Sequence, residues 1–414
     1  MTLRWVIFII VYLIIDYYAF QAVKTITKKQ VAYWFYWVIS GLVIGNLFYQ
    51  MVIEANEAVK VLTPVKSYAF GLVLSLFVPK LILIIFLLGE DFLRVPHAIY
   101  TRFFGNKEPD ASFMASRRKF ISYLALGLAA LPFGALLYGM YKGKYNFKVL
   151  TYTLTFKDLP PAFHGYKITQ ISDIHAGSFD NHEKIEYAVN LINEQKSDAI
   201  FFTGDLVNNL ATEMKPWKST FGKLRAKDGV FSVLGNHDYG DYVEWQSEEK
   251  KKENLDELIT IQKEMGYDVL LNDSRFIERE GQRIALIGVE NWGKGGFKKA
   301  GDLQKASEGV DPNDFKIVLT HDPSHWEAKV VDHPYHYHLT LSGHTHGMQF
   351  GIEIPGWFKW SPVSFRYKQW AGIYKKKEQY INVNRGFGYL AYPGRFGIWP
   401  EITVIELKQE SEIT

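Results

Sequence analysis

Five short blocks in the second half of the chain gather side chains able to hold metal ions: Asp173-Ile-His175, Gly204-Asp205, Gly235-Asn-His-Asp238, His321-Asp322 and Gly343-His-Thr-His346. Carboxylates, imidazoles and an amide oxygen are hard or borderline ligands, and there are enough of them for two ions. The Asp205 carboxylate has two oxygens and can bridge two cations, and Asn236 offers a neutral oxygen. His344 and His346 stand two apart, which suits two adjacent ions better than one shared ion. Two cations about 3.5–4 Å apart can hold a water between them, lower its pKa and clamp a phosphoryl group for in-line attack. His237 is then left over from coordination as a candidate general acid near the leaving group, with Asp238 placed to orient it. Each block alone is a weak signal; the ordered set is specific.

Each block follows an apolar, β-branched run: Tyr166–Ile171, Ala199–Phe202, Val230–Leu234, Lys316–Thr320 and Leu339–Ser342. Such runs predict buried strands. Five strands therefore deliver Asp, His or Asn at their C-terminal ends, the edge where open α/β sheets assemble ligand sites. Val149–Phe156 alternates as a strand, and further strands are expected near Val269–Leu271, Ile284–Val289, Tyr380–Asn384 and Ile402–Leu407. Asp180–Lys196 predicts a helix with Asp180 and Glu183 as a capping box, and Glu248–Met265 a charged amphipathic helix that stops at Gly266. Strands alternating with helices, closing in strands, imply a layered α/β or α+β sandwich.

The first third has a different character. Residues 3–20, 31–53, 69–89 and 121–140 are apolar runs of about the length that spans a bilayer. The expected organisation is a transmembrane region over 1–141 and a soluble α/β domain over 142–414. Lys24, Lys28 and Lys29 follow the first span; Arg94, Arg102, Lys107, Arg117, Arg118 and Lys119 lie between the third and fourth; Lys60 and Lys66 after the second are offset by Glu54 and Glu57. The excess of positive charge marks the first and third loops as cytoplasmic, so the soluble domain is expected outside the cytoplasm of a multi-pass inner-membrane protein. Ser116-Arg-Arg-Lys-Phe-Ile121 looks like a twin-arginine export signal, or equally a positive flank that fixes topology. Asp16 and Lys80 fall within spans, where ionisable groups point to function, an interfacial position or snorkelling.

With a formal charge of only +3, no nucleic-acid partner is expected. The absence of Cys excludes disulfides, thiolate nucleophiles and zinc–thiolate sites.

Taken in order, the five blocks resemble the calcineurin-like metallophosphoesterase superfamily over roughly Tyr166–Leu407. The tail Asn384-Arg-Gly-Phe-Gly388 with Pro393–Glu401 is similar to its membrane-associated bacterial branch, some members of which are twin-arginine exported. The resemblance implies a double β-sandwich flanked by helices and a dinuclear site. One ion would take Asp173, His175, Asp205 and His346; the other Asp205, Asn236, His321 and His344, with Asp205 bridging; His237 matches the catalytic His. The ions would be two divalent or trivalent metals, manganese, iron or zinc. Two departures stand out: Asn208 where the branch often has Asp, and Met348 where a second Gly is common. Neither is expected to touch a ligand; both bear on substrate fit.

The function expected is a membrane-anchored phosphoesterase, a phosphodiesterase first, acting on a phosphodiester, pyrophosphate or phosphomonoester that could be lipid-linked. The alternatives are a non-catalytic receptor or scaffold on the same fold, a UDP-diacylglucosamine-type lipid precursor hydrolase (which would need cytoplasmic access), and a transporter with an attached hydrolase. His325, His333, His336 and His338 are read as core or surface residues. Arg385 and Arg395 could hold a phosphate or form structural ion pairs. Trp357, Phe358, Trp360, Trp370 and Tyr374, with Lys359, Lys368 and Lys375–Lys377, could face a bilayer interface or be ordinary core and loop.

Overall fold

The computed structural model describes residues 3–53, 63–104, 111–354 and 356–410; the loop charges Glu54, Glu57, Lys60 and Lys107 lie outside them. The chain divides into two compact units, one of residues 1–55 and 68–139, the other of 56–67 and 140–414.

The first unit is built from α1 (Leu3–Ile26), α2 (Gln30–Ile53), α3 (Pro64–Phe104) and α4 (Ala111–Tyr141). Within them lie four stretches long and apolar enough to cross a membrane: Val6–Ile26, Gln30–Met51, Pro64–Pro96 and Ser116–Tyr141. Side chains such as Ile10, Ile14, Trp34, Leu42, Ile85 and Leu131 point away from the protein, an apolar exterior that lipid would cover. A polar cluster lies inside. Asp16 on α1 and Lys80 on α3 are buried and pair at 2.7 Å. Tyr36 donates to Asp16 at 2.5 Å, and Lys80 donates to Ser40 Oγ at 2.9 Å and Tyr12 Oη at 3.2 Å, so every charge has a partner.

Helices α3 and α4 run well beyond the expected 69–89 and 121–140. The twin-arginine-like segment is therefore helical. Arg118 pairs with Glu90 at 2.6 Å and Asp91 at 2.9 Å, and Arg117 with Glu90 at 3.2 Å. These arginines thus join α4 to α3, a structural task that their sequence context does not announce.

The second unit opens with β1 (Lys148–Phe156), β2 (Tyr166–Ile171), α5 (His182–Glu194), β3 (Ala199–Phe202), α6 (Lys218–Phe221), β4 (Val230–Ser232), α7 (Glu248–Glu264), β5 (Tyr267–Val269), β6 (Asp273–Arg279) and β7 (Gln282–Gly288). It continues with α8 (Leu303–Ala306), β8 (Phe315–Leu319), β9 (Leu339–Ser342), β10 (Ile352–Ile354), β11 (Phe358–Trp360), β12 (Gly372–Lys376), β13 (Gln379–Val383) and β14 (Glu401–Gln409). One sheet has the order β1-β14-β2-β3-β4-β5 and the other β12-β13-β9-β8-β7-β6; β10 and β11 form a separate antiparallel hairpin.

The sheets pack face to face. Ile168, Phe201 and Val233 from the first meet Leu286, Ile317 and Leu341 from the second in one dry core. Outside the first sheet, Ile185, Val189 and Ile192 of α5 and Leu258 and Ile261 of α7 cover Ile200 and Phe202. Outside the second, Leu303, Trp326 and Val330 cover Ile287 and Val318. The layered α/β expectation holds. The cap of α5 differs: Asn181, not Asp180, accepts from the Lys184 N–H. Asp180 is instead drawn off by Lys144 at 2.6 Å. Strands β6, β10, β11 and β12 lack an apolar run and were not legible as strands; β6 is an edge strand with only Ile277 fully buried.

Candidate metal centre

The site forms where β2, β3, β4, β8 and β9 end. Asp173, His175, Asp205, His344 and His346 all have φ between 50° and 70°. That left-handed conformation is costly for residues with a Cβ, roughly 1–3 kcal/mol each, and clusters where function demands it. Here it turns each side chain off its strand axis and into one cleft. Two glycines make room. Gly204 has φ 93°, and a Cβ there would lie 2.5 Å from the Gly235 nitrogen; a Cβ on Gly235 would lie 2.2 Å from the Asp205 carboxylate.

Six of the seven sequence-predicted ligands fall into two groups. Asp173, His175 and His346 form one group and Asp205, His321 and His344 a second, with ligand atoms within 4.8 Å of one another in each. His346 Nε2 lies 3.1 Å from Asp173 Oδ1 and 3.0 Å from His175 Nε2. Asp205 Oδ2 lies 3.0 Å from His321 Nε2 and 3.6 Å from His175 Nε2, so one carboxylate oxygen faces both groups. His344 Nδ1 is 3.3 Å from His321 Nε2.

The hydrogen bonds on the far side of each ring show what these atoms need. His321 Nδ1 meets the Thr203 carbonyl at 2.7 Å. A carbonyl only accepts, so Nδ1 carries a proton and Nε2 is the atom turned toward the Asp205 carboxylate. His175 Nδ1 meets Asn208 Oδ1 at 3.1 Å, while the Asn208 amide donates to Ser178, which makes His175 Nε2 an acceptor. Asn236 Oδ1 is buried with no hydrogen-bond partner, its amide nitrogen donating instead to Tyr242 at 2.8 Å. Lone pairs and carboxylate oxygens thus face one another, an arrangement that repels unless a proton or a cation sits between them. Burial works against a charged His321, yet Asp205 and Asp173 beside it raise it to about 10. A cation would feel the same pull. Burial and the neighbouring His346 hold His175 well below its ordinary value, so it stays a neutral ligand. The donor set therefore fits two cations, with Asp205 shared.

His237 sits at the rim. Its Nδ1 donates to the Asn208 carbonyl at 2.7 Å, so Nε2 is free for a ligand, and burial lowers its pKa. Asp238 does not orient it. The Asp238 carboxylate accepts from the backbone N–H groups of Gly235 at 2.8 Å, Asp205 at 2.9 Å and Leu206 at 2.8 Å. It holds the turn that carries Asp205; three convergent backbone donors outcompete one imidazole. Burial and the Asp205 charge raise Asp238 to about 7.

Asn208, expected to touch no ligand, fixes both His175 and His237. Its side chain and backbone do this together, and no spacing rule announces it. Tyr367 is a second residue that the sequence hides: its hydroxyl lies 2.9 Å from His344 Nε2 and 3.2 Å from Asp322 Oδ2. Tyr242 packs its ring 4.4 Å from that of His237, and Phe297 lies 4.7 Å from that of His344. Arg385 pairs with Glu353 at 2.5 Å and Glu401 at 2.6 Å. Arg395 is fully buried and donates to the Gly388 carbonyl at 2.7 Å. Both arginines are used internally. His325 is in the core, bonded to Thr320 Oγ1 at 3.0 Å, and His338 pairs with Asp158 at 2.6 Å.

Comparison with known proteins agrees with this geometry. Residues 166–348 match the model of the calcineurin-like phosphoesterase family, and residues 3–144 match that of a probable calcineurin-like phosphoesterase transmembrane domain. The chain is 31% identical to the uncharacterized metallophosphoesterase YkuE of Bacillus subtilis, covering 71% of this chain and 98% of that one. It is 30% identical to the phosphodiesterase YaeI of Escherichia coli, covering 71% and 100%. An uncharacterized metallophosphoesterase of Helicobacter pylori is 24% identical over 98% of both chains. The protein belongs to the calcineurin-like metallophosphoesterase family, as a membrane protein with four candidate spans.

Proposed function

We propose that this chain is a membrane-anchored, metal-dependent phosphodiesterase whose domain lies outside the cytoplasm. The observation that carries the reading is the pair of buried ligand groups, Asp173–His175–His346 and Asp205–His321–His344, with the Asp205 carboxylate between them and Asn236 Oδ1 left without a hydrogen-bond partner. Asp173, His175, Asp205 and His346 would hold one cation and Asp205, Asn236, His321 and His344 the other. When bound, the pair supplies positive charge for the phosphoryl oxygens and lowers the pKa of an attacking water.

The chain's own residues do the rest. Asp238 fixes the backbone of Asp205, and Asn208 fixes the rings of His175 and His237. The free Nε2 of His237 faces the rim, where a phosphate ester adds negative charge and favours the protonated ring. From there it can hand a proton to the departing alkoxide. Phosphodiesters are preferred because a relative of similar sequence carries that name. Manganese, iron or zinc suits the mixed ligands.

The test uses the full chain in detergent, stripped and reloaded with each metal, against bis(p-nitrophenyl) phosphate and p-nitrophenyl phosphate. Turnover of the diester that chelator abolishes and metal restores is expected. A folded, metal-loaded protein that turns over neither would overturn the reading in favour of a scaffold.

A further inference from the structure

The β10–β11 hairpin is built inside out for a water-facing element. Its charged residues are tucked against the domain: Glu353 pairs with Arg385, and Lys359 donates to the Ala371 carbonyl. Side chains on the opposite face, Ile352, Ile354 and Phe358, point to solvent, and Trp357 at the turn is 80% exposed. Met348 just before the hairpin and Phe365 just after it, 86% exposed, bring the number of outward large apolar groups to six. Such exposure has a cost in water and marks an interaction surface.

Its place in the domain says which one. The chain enters the domain from α4 at Gly143, where a Cβ would lie 2.0 Å from the Arg395 carbonyl. The next residue, Phe396, bridges to Phe350, and its carbonyl accepts from Gly351 N–H at 3.0 Å. The hairpin therefore starts one backbone pairing away from the point where the membrane helix delivers the chain. Arg366 and Lys368 follow it in the chain, exposed and with no ion-pair partner among the described residues. Apolar and aromatic side chains accompanied by exposed cations are what an anionic bilayer surface accepts. The same segment leads into the cleft. Ser361 bonds the Gly347 carbonyl at 2.6 Å, Tyr367 reaches His344, and the Arg366 guanidinium stacks 4.9 Å from the Phe297 ring.

We propose that the β10–β11 hairpin, with Met348 and Phe365, seats in the lipid surface and sets the metal cleft against it, so that the site draws its phosphate ester from the bilayer. The choice of substrate rests on the phosphodiesterase reading; the seating does not. Because the chain has no Cys, single labels can be placed cleanly. The full chain carrying a nitroxide at Trp357→Cys or Phe365→Cys, in nanodiscs of phosphatidylethanolamine and phosphatidylglycerol, should be more accessible to oxygen than to a water-soluble nickel chelate. Tyr187→Cys on α5 serves as the aqueous control. Water-like accessibility at both hairpin sites, or dipolar broadening that shows a second copy seated there, would overturn the seating.

The triple variant Trp357→Ser, Phe358→Ser, Phe365→Ser should lose about tenfold in turnover of phosphatidyl-p-nitrophenol in the same discs while keeping its rate on bis(p-nitrophenyl) phosphate. An equal fall on both substrates would overturn the delivery role. Absence of turnover on either substrate by the metal-loaded unmutated chain would sink the phosphodiesterase reading alone, since the label depths are read without catalysis.

Discussion

The Nε2 atoms of His175 and His346 face each other at 3.0 Å on the floor of the cleft. The Asn208 amide oxygen fixes the His175 proton on the far nitrogen, so the near one accepts. Beside them, His321 is raised to about 10 by Asp205 and Asp173 against the effect of burial, so in the metal-free protein it carries a proton at neutral pH. Metal binding should expel that proton. Titration calorimetry of the stripped full chain with manganese or zinc at pH 8, in buffers of different ionisation enthalpy, should show about one proton released as the site that His321 serves is filled. His175→Ala should retain one ion and Asp205→Ala close to none, because one Asp205 carboxylate oxygen faces His175 and His321 together. Two ions retained by Asp205→Ala would break the shared-ligand assignment.

His237 packs edge-on against the His175 ring at 4.9 Å without belonging to either ligand group, and its Nδ1 is spent on Asn208. His237→Ala should therefore keep both ions while turnover of diesters with poor leaving groups falls by about 10²–10⁴. Diesters of p-nitrophenol, whose anion leaves without help, should suffer much less. Parallel losses on good and poor leaving groups, with metal content intact, would assign the ring to binding rather than proton transfer.

The Tyr367 hydroxyl and the Asp322 carboxylate together hold His344 Nε2, which leaves Nδ1 for a cation. Partners of this kind set ring orientation and tautomer. Tyr367→Phe should weaken the affinity of the second site by about tenfold, within the range usual for such partners. Competition with a chromogenic chelator measures this directly. An unchanged affinity would make Asp322 the sole orienting group, and Asp322→Asn would then show the loss instead.

The five motif blocks were legible because the parallel strands before them are buried on both faces and read as unbroken apolar runs. Left-handed turns then put residues with chemistry at the strand ends. What stayed hidden has one physical cause. Asn208 acts partly through its backbone carbonyl, and Tyr367 reaches His344 from a loop 23 residues away. Neither leaves a periodicity or a local motif. Asp238 misled for the same reason: adjacency to His237 suggested a side-chain pair, whereas its carboxylate serves three backbone amides. The edge strands β6 and β12 were missed because half-exposed strands carry charge. Helices α3 and α4 outran their apolar cores because Glu90 and Asp91 on one meet Arg117 and Arg118 on the other, so charged turns continue the helix instead of ending it.

His325 is buried and stays neutral, with its pKa lowered to about 4 by desolvation, which the Asp322 charge only partly offsets. In the unfolded chain it has its ordinary value of about 6.5. As pH falls, the unfolded state takes up the proton first, so stability is lost from about pH 6.5 down toward 4 and regained as pH rises. The contribution is on the order of 3 kcal/mol across that window. In denaturant melts of the metal-stripped full chain, the stability gap between pH 7.5 and 5 should therefore shift in favour of pH 5 in His325→Gln. An equal gap in the variant would place the acid sensitivity elsewhere.

Asp16 and Lys80 remain the sharpest question in the helical unit. Their 2.7 Å pair is closed by Tyr12, Tyr36 and Ser40, so no donor or acceptor is left to receive a passing ion. That favours a device that fixes α1, α2 and α3 in register over a transport site. Removing one charge strands the other in an apolar setting, which costs about 3–5 kcal/mol in buried pairs. Lys80→Met should sharply lower the melting temperature of the full chain in detergent. Asp16→Leu combined with Lys80→Met should recover most of it, because two apolar groups need no partner. Hydrolysis of a soluble diester should follow the folded fraction in both variants. A double variant that melts like the unmutated chain but loses turnover would show the pair acting on the reaction itself and end the structural reading.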